Sequence, residues 1–279
     1  MTVCISNVPA AGAGALRFRS AGLLLLIGAL SCRTPNAEPA TAAAPLRMQL
    51  FLLAGQSNMA GRGTVEAVDR IPHPHIVMLD RNLAWVPAVD PVHFDKPVAG
   101  VGPGRSFALA LASANPSIRI GLIPAAVGGS PISSWEPGAL DAATRTHPYD
   151  DALARARAAM KDGDLAAILW HQGESDTGER LAPLYEQKLR VLIDRFRKDL
   201  GKPDLPILVG QLGRFDGAPW SASKSLVDAA HRKVAADVPH AAFVSSAGLK
   251  DKGDTTHFNS AAARELGMRY AEAYFRLVR

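Results

Sequence analysis

The sequence predicts an α/β fold built on a parallel sheet, because short apolar segments alternate with longer amphipathic ones along the chain. The clearest strand is Met48 to Ala54, which is almost continuously apolar and stops at Gly55. Such a segment is typical of a strand that is buried on both faces of a parallel sheet. The chain has 279 residues, of which 48% are hydrophobic and 20% charged. This composition is that of a globular protein, and the length suffices for one α/β domain with a substantial core.

The other predicted elements follow in chain order. The further strands are Ile76 to Leu79, Ile120 to Val127, Ala166 to Trp170, Pro206 to Leu212 and Ala241 to Ser245. The helices are Ser106 to Ala114, Tyr149 to Lys161, Leu181 to Leu200, Ser221 to Ala236 and Ser260 to Leu277. The connection from Thr64 to Pro103 is long, and long loops where strands end tend to shape a substrate cleft. The sequence identifies the strands but not their order.

Ser57 lies in a tight turn directly after the first strand, in the segment LFLLAGQSNMAG. In open α/β sheets, ligands bind beyond the carboxyl ends of the parallel strands, so Ser57 lies where a nucleophile would. The alternative is that Gln56, Ser57 and Asn58 cap the following helix, since Ser and Asn are strong capping residues. Taken alone, this segment favours the cap.

A polar loop before the last helix places Asp254 three residues ahead of His257. A serine is a weak nucleophile at neutral pH and needs a general base, and the base needs an acid that fixes its tautomer and stabilises its charged form. Ser57, His257 and Asp254 supply these three roles. The alternative is an ordinary surface histidine, with Asp254 as a turn former.

Two more strand ends carry residues suited to binding an anionic oxygen. Gly128 and Gly129 follow the strand that starts at Ile120, and their lack of side-chain bulk lets backbone N–H groups approach a ligand. Gln172 follows the strand that ends at Trp170. The alternatives are a tight turn for the glycines and a polar group that closes the strand end for Gln172.

The blocks GQSNM, GGSPISSW, WHQGESD and DTTH, in this order, resemble the SGNH/GDSL hydrolase superfamily. They are most similar to its sialate O-acetylesterase and acetyl xylan esterase branch, of the carbohydrate esterase family 6 type, from about Arg47 onward. The wider superfamily usually has an asparagine where this chain reads HQGE, and this departure favours the branch over lipase-like or thioesterase-like relatives. The resemblance implies a three-layer α/β/α sandwich with a five-stranded parallel sheet.

The resemblance also implies roles for individual residues. Ser57 matches the nucleophile, His257 the base and Asp254 the orienting acid. The backbone N–H groups of Ser57 and Gly129 and the side chain of Gln172 match the oxyanion hole. Gln172→Ala is therefore expected to lower turnover on the order of 100 to 1,000 fold in a protein that stays folded. The implied activity is a serine esterase that removes O-acetyl groups from carbohydrates through an acetyl-enzyme, without a cofactor or metal.

Four further residues are candidates near this site. Glu174 resembles a second carboxylate that would share in orienting the histidine, or else holds substrate or a neighbouring loop. Gln56 and Arg105 are candidate substrate contacts, although a surface arginine is more often solvated, or pairs with a nearby acid. Trp135 would stack on a sugar face or, alternatively, close the core.

Composition excludes some functions and leaves two rivals. The net charge of +5 comes from 31 Lys and Arg against 26 Asp and Glu without a basic run, so the chain gives no support for nucleic-acid binding. His73 and His75 are separated by proline and lack nearby Cys or acid clusters, which indicates loop residues rather than metal ligands. The resemblance implies an acetylated carbohydrate as the partner. The rivals are a lipase or thioesterase for longer acyl chains and a catalytically silent carbohydrate-binding module.

The N-terminal residues predict export. Arg17 and Arg19 precede a ten-residue apolar segment that ends before Ser31 and Cys32, which is typical of a signal peptide over residues 1–32. Small residues before Cys32 resemble a lipoprotein processing site, so Cys32 is a candidate for lipidation that would tether the chain to a membrane. Residues 33–46 form a Pro/Ala-rich linker and residues 47–279 the hydrolase domain. The predicted location is periplasmic, extracellular or lipid-anchored.

Overall fold

The computed structural model of the protein describes residues 47–279, so the predicted signal peptide, linker and lipidation site at Cys32 lie outside the described residues. One sheet of seven strands runs through the domain in the order β3-β2-β4-β1-β5-β6-β7. All neighbouring strands are parallel except β3, which is antiparallel to β2. The strands are β1 (Met48–Gly55), β2 (Ile76–Leu79), β3 (Trp85–Pro87), β4 (Ile120–Pro124), β5 (Gly163–His171), β6 (Ile207–Gly210) and β7 (Ala241–Val244).

Helices cover both faces of the sheet. They are α1 (Ser57–Ala60), α2 (Pro103–Ala114), α3 (Pro148–Ala159), α4 (Tyr185–Asp199), α5 (Ala222–Asp237) and α6 (Ser260–Leu277). Alternate side chains of β1 point to opposite faces, which is the period of a strand. Leu50 and Leu52 pack with residues of α3, α4 and α5, whereas Phe51 and Leu53 pack with residues of α2 and α6. Among residues 47–279, none of the helices is long and apolar enough to cross a membrane.

The structure confirms the predicted α/β class and corrects the number of strands. Five parallel strands were expected, and the sheet has six parallel strands plus the antiparallel edge strand β3. β3 has only three residues and none of them is fully buried, so it lacks the apolar run that reveals the inner strands.

Helices α2 and α3 each begin at a proline, Pro103 and Pro148, where its fixed φ and missing N–H suit the first turn.

The order of the strands brings the candidate site residues together. β1 lies between β4 and β5, so the segments that follow these three strands meet at one edge of the sheet. Gly55 ends β1 with a φ of +126°, and a Cβ there would lie 2.1 Å from the carbonyl oxygen of His171. This close approach requires glycine at position 55 and sets the direction in which the chain enters α1.

Candidate active site

Ser57 is the first residue of the short helix α1 and points toward the loop that follows β7. Its Oγ lies 3.0 Å from Nε2 of His257. Gln56 occupies the N-cap position of α1, and its side chain makes no capping hydrogen bond. The helix-cap interpretation is therefore not realised, because the hydroxyl of Ser57 is directed at the imidazole.

His257 is held by Asp254 in the orientation that a general base requires. Nδ1 of His257 lies 2.7 Å from Oδ2 of Asp254, which leaves Nε2 to accept the hydrogen of the Ser57 hydroxyl. Oδ1 of Asp254 accepts the backbone N–H groups of Thr256 and His257, at 3.0 and 2.8 Å. Burial alone would raise the pKa of Asp254, but these hydrogen bonds outweigh it and lower the pKa to about 2. The carboxylate is consequently ionised at neutral pH.

Two backbone N–H groups remain free to bind an anionic oxygen. The N–H groups of Ser57 and Gly129 donate to no acceptor among residues 47–279. Gly129 has a φ of +85°, and on the side where a Cβ would point the space is open up to Nζ of Lys96, 3.7 Å away. Val127 donates to the carbonyl of Gly55 at 2.9 Å, which keeps this loop beside the start of α1.

A buried ion pair fixes the loop that carries Gly129. Oδ2 of Asp95 accepts the N–H of Gly128 at 2.8 Å and lies 2.7 Å from Nη2 of Arg62. Both side chains are almost completely buried, and a Cβ on Gly128 would lie 2.1 Å from that Arg62 nitrogen. The loop is thus packed against a charge-assisted network, which holds it more firmly than neutral contacts would. The positive charge of Arg62 is therefore paired with Asp95 rather than with a ligand.

Gln172 does not take the predicted position in the oxyanion hole. Its side chain is completely buried, and Nε2 donates toward Oε1 of Gln56, the carbonyl of Ser130 and Oδ2 of Asp176, at 3.1, 3.1 and 2.6 Å. An amide nitrogen has two hydrogens, so none is left for a substrate oxygen. Gln172 instead ties the segments after β1, β4 and β5 to one another.

Glu174 is close to the predicted triad but forms no hydrogen bond with His257. Its Oε1 accepts Nδ2 of Asn58 at 2.6 Å, whereas Nδ1 of His257 is occupied by Asp254. Oε2 is buried and has no partner among the described residues. Burial raises the pKa of Glu174. The orienting acid in this geometry is Asp254 alone.

Asn58 is a site residue that the sequence did not single out. It joins Glu174 to the loop that carries His257, because its Nδ2 also donates to the carbonyl of Thr256 and its Oδ1 accepts the N–H of Phe258, at 3.0 and 3.1 Å. The sequence offered only a signal for helix capping at this position. Lys96 and Asp95 were likewise missed, because they lie in the long loop before α2, where no pattern marks them.

The three candidate substrate contacts lie inside the protein. Gln56 is 2% exposed, and its Oε1 accepts N–H groups of Gln172 and Ser175 at 3.1 and 3.3 Å. Arg105 is buried on α2 and donates to the carbonyl of Ile71. Trp135 is fully buried, its Nε1 donates to Oγ of Ser130 at 3.0 Å, and its ring packs edge-to-face on Trp170. All three are structural in this arrangement, and Trp135 closes the core.

Comparisons with known proteins place the chain among carbohydrate esterases. The family model described as carbohydrate esterase, sialic acid-specific acetylesterase, matches residues 47–276. A probable carbohydrate esterase of Arabidopsis thaliana is 34% identical over 247 residues, which cover 81% of this chain and 90% of the relative. An X-ray structure of an Arabidopsis thaliana protein superposes with a TM-score of 0.73 at 32% identity, covering 82% of this chain and 98% of that one.

More distant solved structures share the fold. NanS superposes with a TM-score of 0.69 at 20% identity and covers 85% of this chain and 99% of its own. A carbohydrate acetylesterase from Xanthomonas citri has a TM-score of 0.63 at 20% identity, covering 81% of this chain and 55% of that one. The hydrogen-bonded serine, histidine and aspartate therefore belong to a domain whose architecture recurs among such enzymes.

Proposed function

Because the chain belongs to the family of carbohydrate esterases described as sialic acid-specific acetylesterases, we propose that it removes O-acetyl groups from carbohydrates as a serine esterase. One observation carries the proposal: Nε2 of His257 lies 3.0 Å from Oγ of Ser57 while its Nδ1 lies 2.7 Å from Asp254. This chain of hydrogen bonds is the arrangement by which a histidine activates a serine and an acid holds the histidine.

In the first half of the reaction, Oγ of Ser57 attacks the acetyl carbonyl carbon while Nε2 of His257 takes the hydroxyl proton. The carbonyl π electrons move to oxygen, and the resulting anion accepts hydrogen bonds from the N–H groups of Ser57 and Gly129. When the tetrahedral intermediate collapses, the bond from carbon to the sugar oxygen breaks. His257 returns its proton to that oxygen, so the sugar leaves as a neutral alcohol and Ser57 stays acetylated.

Deacetylation repeats these steps with water. His257 takes a proton from a water molecule, whose oxygen attacks the acetyl carbon. Oγ of Ser57 is then the leaving group and receives the proton from His257. Asp254 stabilises the imidazolium in both halves, and its pKa of about 2 keeps it ionised throughout.

Two O-acetylated sugars are candidates for the substrate. The family description supports an O-acetylated sialic acid, and the resemblance of the sequence blocks to acetyl xylan esterases supports acetylated xylan as the second candidate. Acetate release from O-acetylated sialic acid and from acetylated xylo-oligosaccharides would decide between them, and release from acetylated peptidoglycan fragments would indicate a third sugar instead.

Hydrolysis of p-nitrophenyl acetate by the wild type, and its loss in Ser57→Ala, tests the reaction class. A carbohydrate-binding module without activity would hydrolyse neither this ester nor the glycans. A series of p-nitrophenyl esters of increasing acyl length distinguishes a carbohydrate acetylesterase from a lipase or thioesterase. A lipase or thioesterase would gain activity from acetyl to octanoyl, whereas a carbohydrate acetylesterase is expected to lose it.

For location, we propose that the chain is exported and that Cys32 is the site of processing. The apolar segment before Ser31 and Cys32 supports this proposal. Mass spectrometry of the N-terminal peptide purified from the membrane and soluble fractions tests it. A diacylglycerol on Cys32 is the expected result, and an unmodified Cys32 or cleavage elsewhere would contradict lipidation.

A further inference from the structure

An open cavity of about 670 Å³ lies in the loop between β6 and α5. Its lining includes Arg214, Phe215, Asp216, Trp220 and Asp228. This volume lies within the range of about 300–1,000 Å³ that is typical of sites for small ligands. The cavity is formed beyond the carboxyl end of β6, at the same edge of the sheet as Ser57, and the mechanism above does not use it.

Two contacts join this cavity to the loop that carries Asp254 and His257. The ring of Phe215 packs edge-to-face on Phe258, the residue after His257, with ring centroids 5.3 Å apart. Lys250, on the same loop, forms an ion pair with Asp216. The cavity therefore adjoins the loop that carries His257.

The chemistry of the reaction decides which half of the ester lies on that side. The acetyl oxygen must face the N–H groups of Ser57 and Gly129, whereas the leaving oxygen must face Nε2 of His257, from which it receives its proton. The alcohol half of the ester thus extends from Ser57 toward the loop of His257. Under the proposed function, that half is the sugar.

Arg214 lines the cavity as an unpaired donor, whereas the two acids of the lining are paired. Asp216 pairs with Lys250, and Asp228 binds Arg232 and Gln211 at 3.0 and 2.9 Å. In contrast, Arg214 has no hydrogen-bond acceptor or carboxylate partner within the part of the chain that the structure describes. Lys224 lies beside the cavity, and its ammonium group interacts electrostatically with the carboxylate of Glu174. Both cations converge on the ring of Trp220, each 5.3 Å from its centroid.

Trp220 is suited to serve as the wall of a sugar site. Its ring is half-buried, and its orientation is fixed because Nε1 donates to the carbonyl of Gly213 at 3.2 Å. Because Trp220 lines the cavity, the part of its ring that the two cations do not cover can offer an apolar surface to the C–H groups of a sugar. The neighbouring guanidinium and ammonium groups can donate hydrogen bonds to hydroxyl or carboxylate oxygens.

We propose that this cavity is the subsite for the sugar half of the ester, with Trp220 as its wall and Arg214 and Lys224 as donors to the sugar's oxygens. The inference rests on the proposed function. It assigns the preference for glycan esters over simple esters to the loop between β6 and α5, outside the catalytic residues.

The test compares two substrates in the full-length chain. For wild type and variants, kcat/KM is measured on an acetylated glycan and on p-nitrophenyl acetate, and the ratio of the two is the readout. Trp220→Ala is expected to lower this ratio at least about tenfold, mainly through KM on the glycan. Trp85→Ala is the matched control, because Trp85 is also half-buried. Its Nε1 donates to Asp162, the residue before β5, at the amino ends of the parallel strands and away from Ser57.

The double variant Arg214→Gln with Lys224→Gln covers the case in which Trp220→Ala does not fold, since it alters no core residue. It is expected to lower the ratio in the same direction. A greater loss on O-acetylated sialic acid than on acetylated xylo-oligosaccharides would indicate that the cations bind a carboxylate. Equal losses would indicate hydroxyl groups.

Binding provides a readout that does not depend on turnover. In the Ser57→Ala background, calorimetric titration with the same acetylated glycans is expected to show a Kd at least about tenfold weaker when Trp220→Ala is added. An unchanged Kd together with an unchanged kcat/KM ratio in both variants would overturn the subsite. A wild type without Ser57-dependent hydrolysis of p-nitrophenyl acetate would instead overturn the proposed function.

Discussion

Nε2 of His257 lies 3.0 Å from Oγ of Ser57, although 200 positions separate the two residues in the chain. This contact is tertiary, since no shared helix, strand or turn brings the two residues together. Ser57 is placed by the end of β1, the central strand, and His257 by the loop after β7, the edge strand. The sheet order and the hydrogen bonds of Asn58 to Thr256 and Phe258 close this distance.

Asp254→Asn is expected to lower kcat by on the order of 10³ to 10⁴, because the amide would favour the wrong histidine tautomer and cannot stabilise the imidazolium. Hydrolysis of p-nitrophenyl acetate measures this effect. Asp204→Asn is the matched control, since Asp204 forms an exposed pair with His240 at 3.6 Å, outside the site. Equal effects of the two substitutions would contradict the role assigned to Asp254.

The same carboxylate makes stability depend on pH in the acid range. Folding lowers the pKa of Asp254 from 3.8 to about 2. A group whose pKa is lower in the folded state stabilises it above the unfolded pKa, and this contribution disappears as the pH falls through the folded pKa. The difference in free energy of unfolding between wild type and Asp254→Asn, from urea titrations, should therefore shrink between about pH 4 and about pH 2. A difference that stays constant over this window would contradict the prediction.

Gly129→Ala is expected to lower kcat more than it lowers stability. An alanine at a φ of +85° is strained by about 1 kcal/mol, and relief of that strain would move the N–H that faces the substrate oxygen. Loss of one such donor costs on the order of 100 to 1,000 fold, so a partial displacement should cost at least about tenfold. Kinetics on p-nitrophenyl acetate measure the loss.

Gly138→Ala separates strain from catalysis. Gly138 has a φ of +73° and open space where a Cβ would point, in an exposed loop outside the site. Its substitution carries similar backbone strain, so both variants should lose similar stability. Only Gly129→Ala should lose turnover, and equal kcat values in the two variants would remove Gly129 from the oxyanion hole.

Gln172→Ala should now act on stability rather than directly on the oxyanion. Removal of the amide leaves Gln56, Ser130 and Asp176 short of a buried donor, which costs about 1–3 kcal/mol. Gln187→Ala, on the exposed face of α4, should stay within about 0.5 kcal/mol of the wild type. Full stability of Gln172→Ala with a turnover lower by on the order of 100 to 1,000 fold would restore Gln172 to the oxyanion hole.

Features that depend on contacts between residues close together in the chain could be predicted from the sequence. Met48 to Ala54 is apolar because both its faces are buried, and Asp254 reaches His257 because only three residues separate them. α6 was predicted at its observed bounds, since Asn259 caps it and accepts the N–H of Ala262. These features arise from neighbours in sequence.

Roles that depend on packing were left open by the sequence. Gln172 and Trp135 each allowed a site role and a structural one, and Arg105 allowed a substrate contact or a solvated side chain. Tertiary contacts decide: Arg105 donates to Ile71, 34 positions away, Gln172 donates to Ser130, 42 positions away, and Trp135 packs on Trp170. Asparagine often caps helices, so the sequence indicated a cap at Asn58. Its hydrogen bonds to Thr256 and Phe258 form only when the fold brings that loop beside α1. Asp95 and Lys96 belong to a loop without periodicity.

The acetyl-enzyme is the most direct test of the nucleophile. The protein is mixed with excess p-nitrophenyl acetate, quenched in acid within the first turnovers and analysed by intact mass and peptide mapping. The expected result is one added acetyl group, located on the peptide that contains Ser57 and absent from Ser57→Ala. An active enzyme that carries no acetyl group under these conditions, or carries it on another residue, while Ser57→Ala keeps full activity, would contradict the role of Ser57.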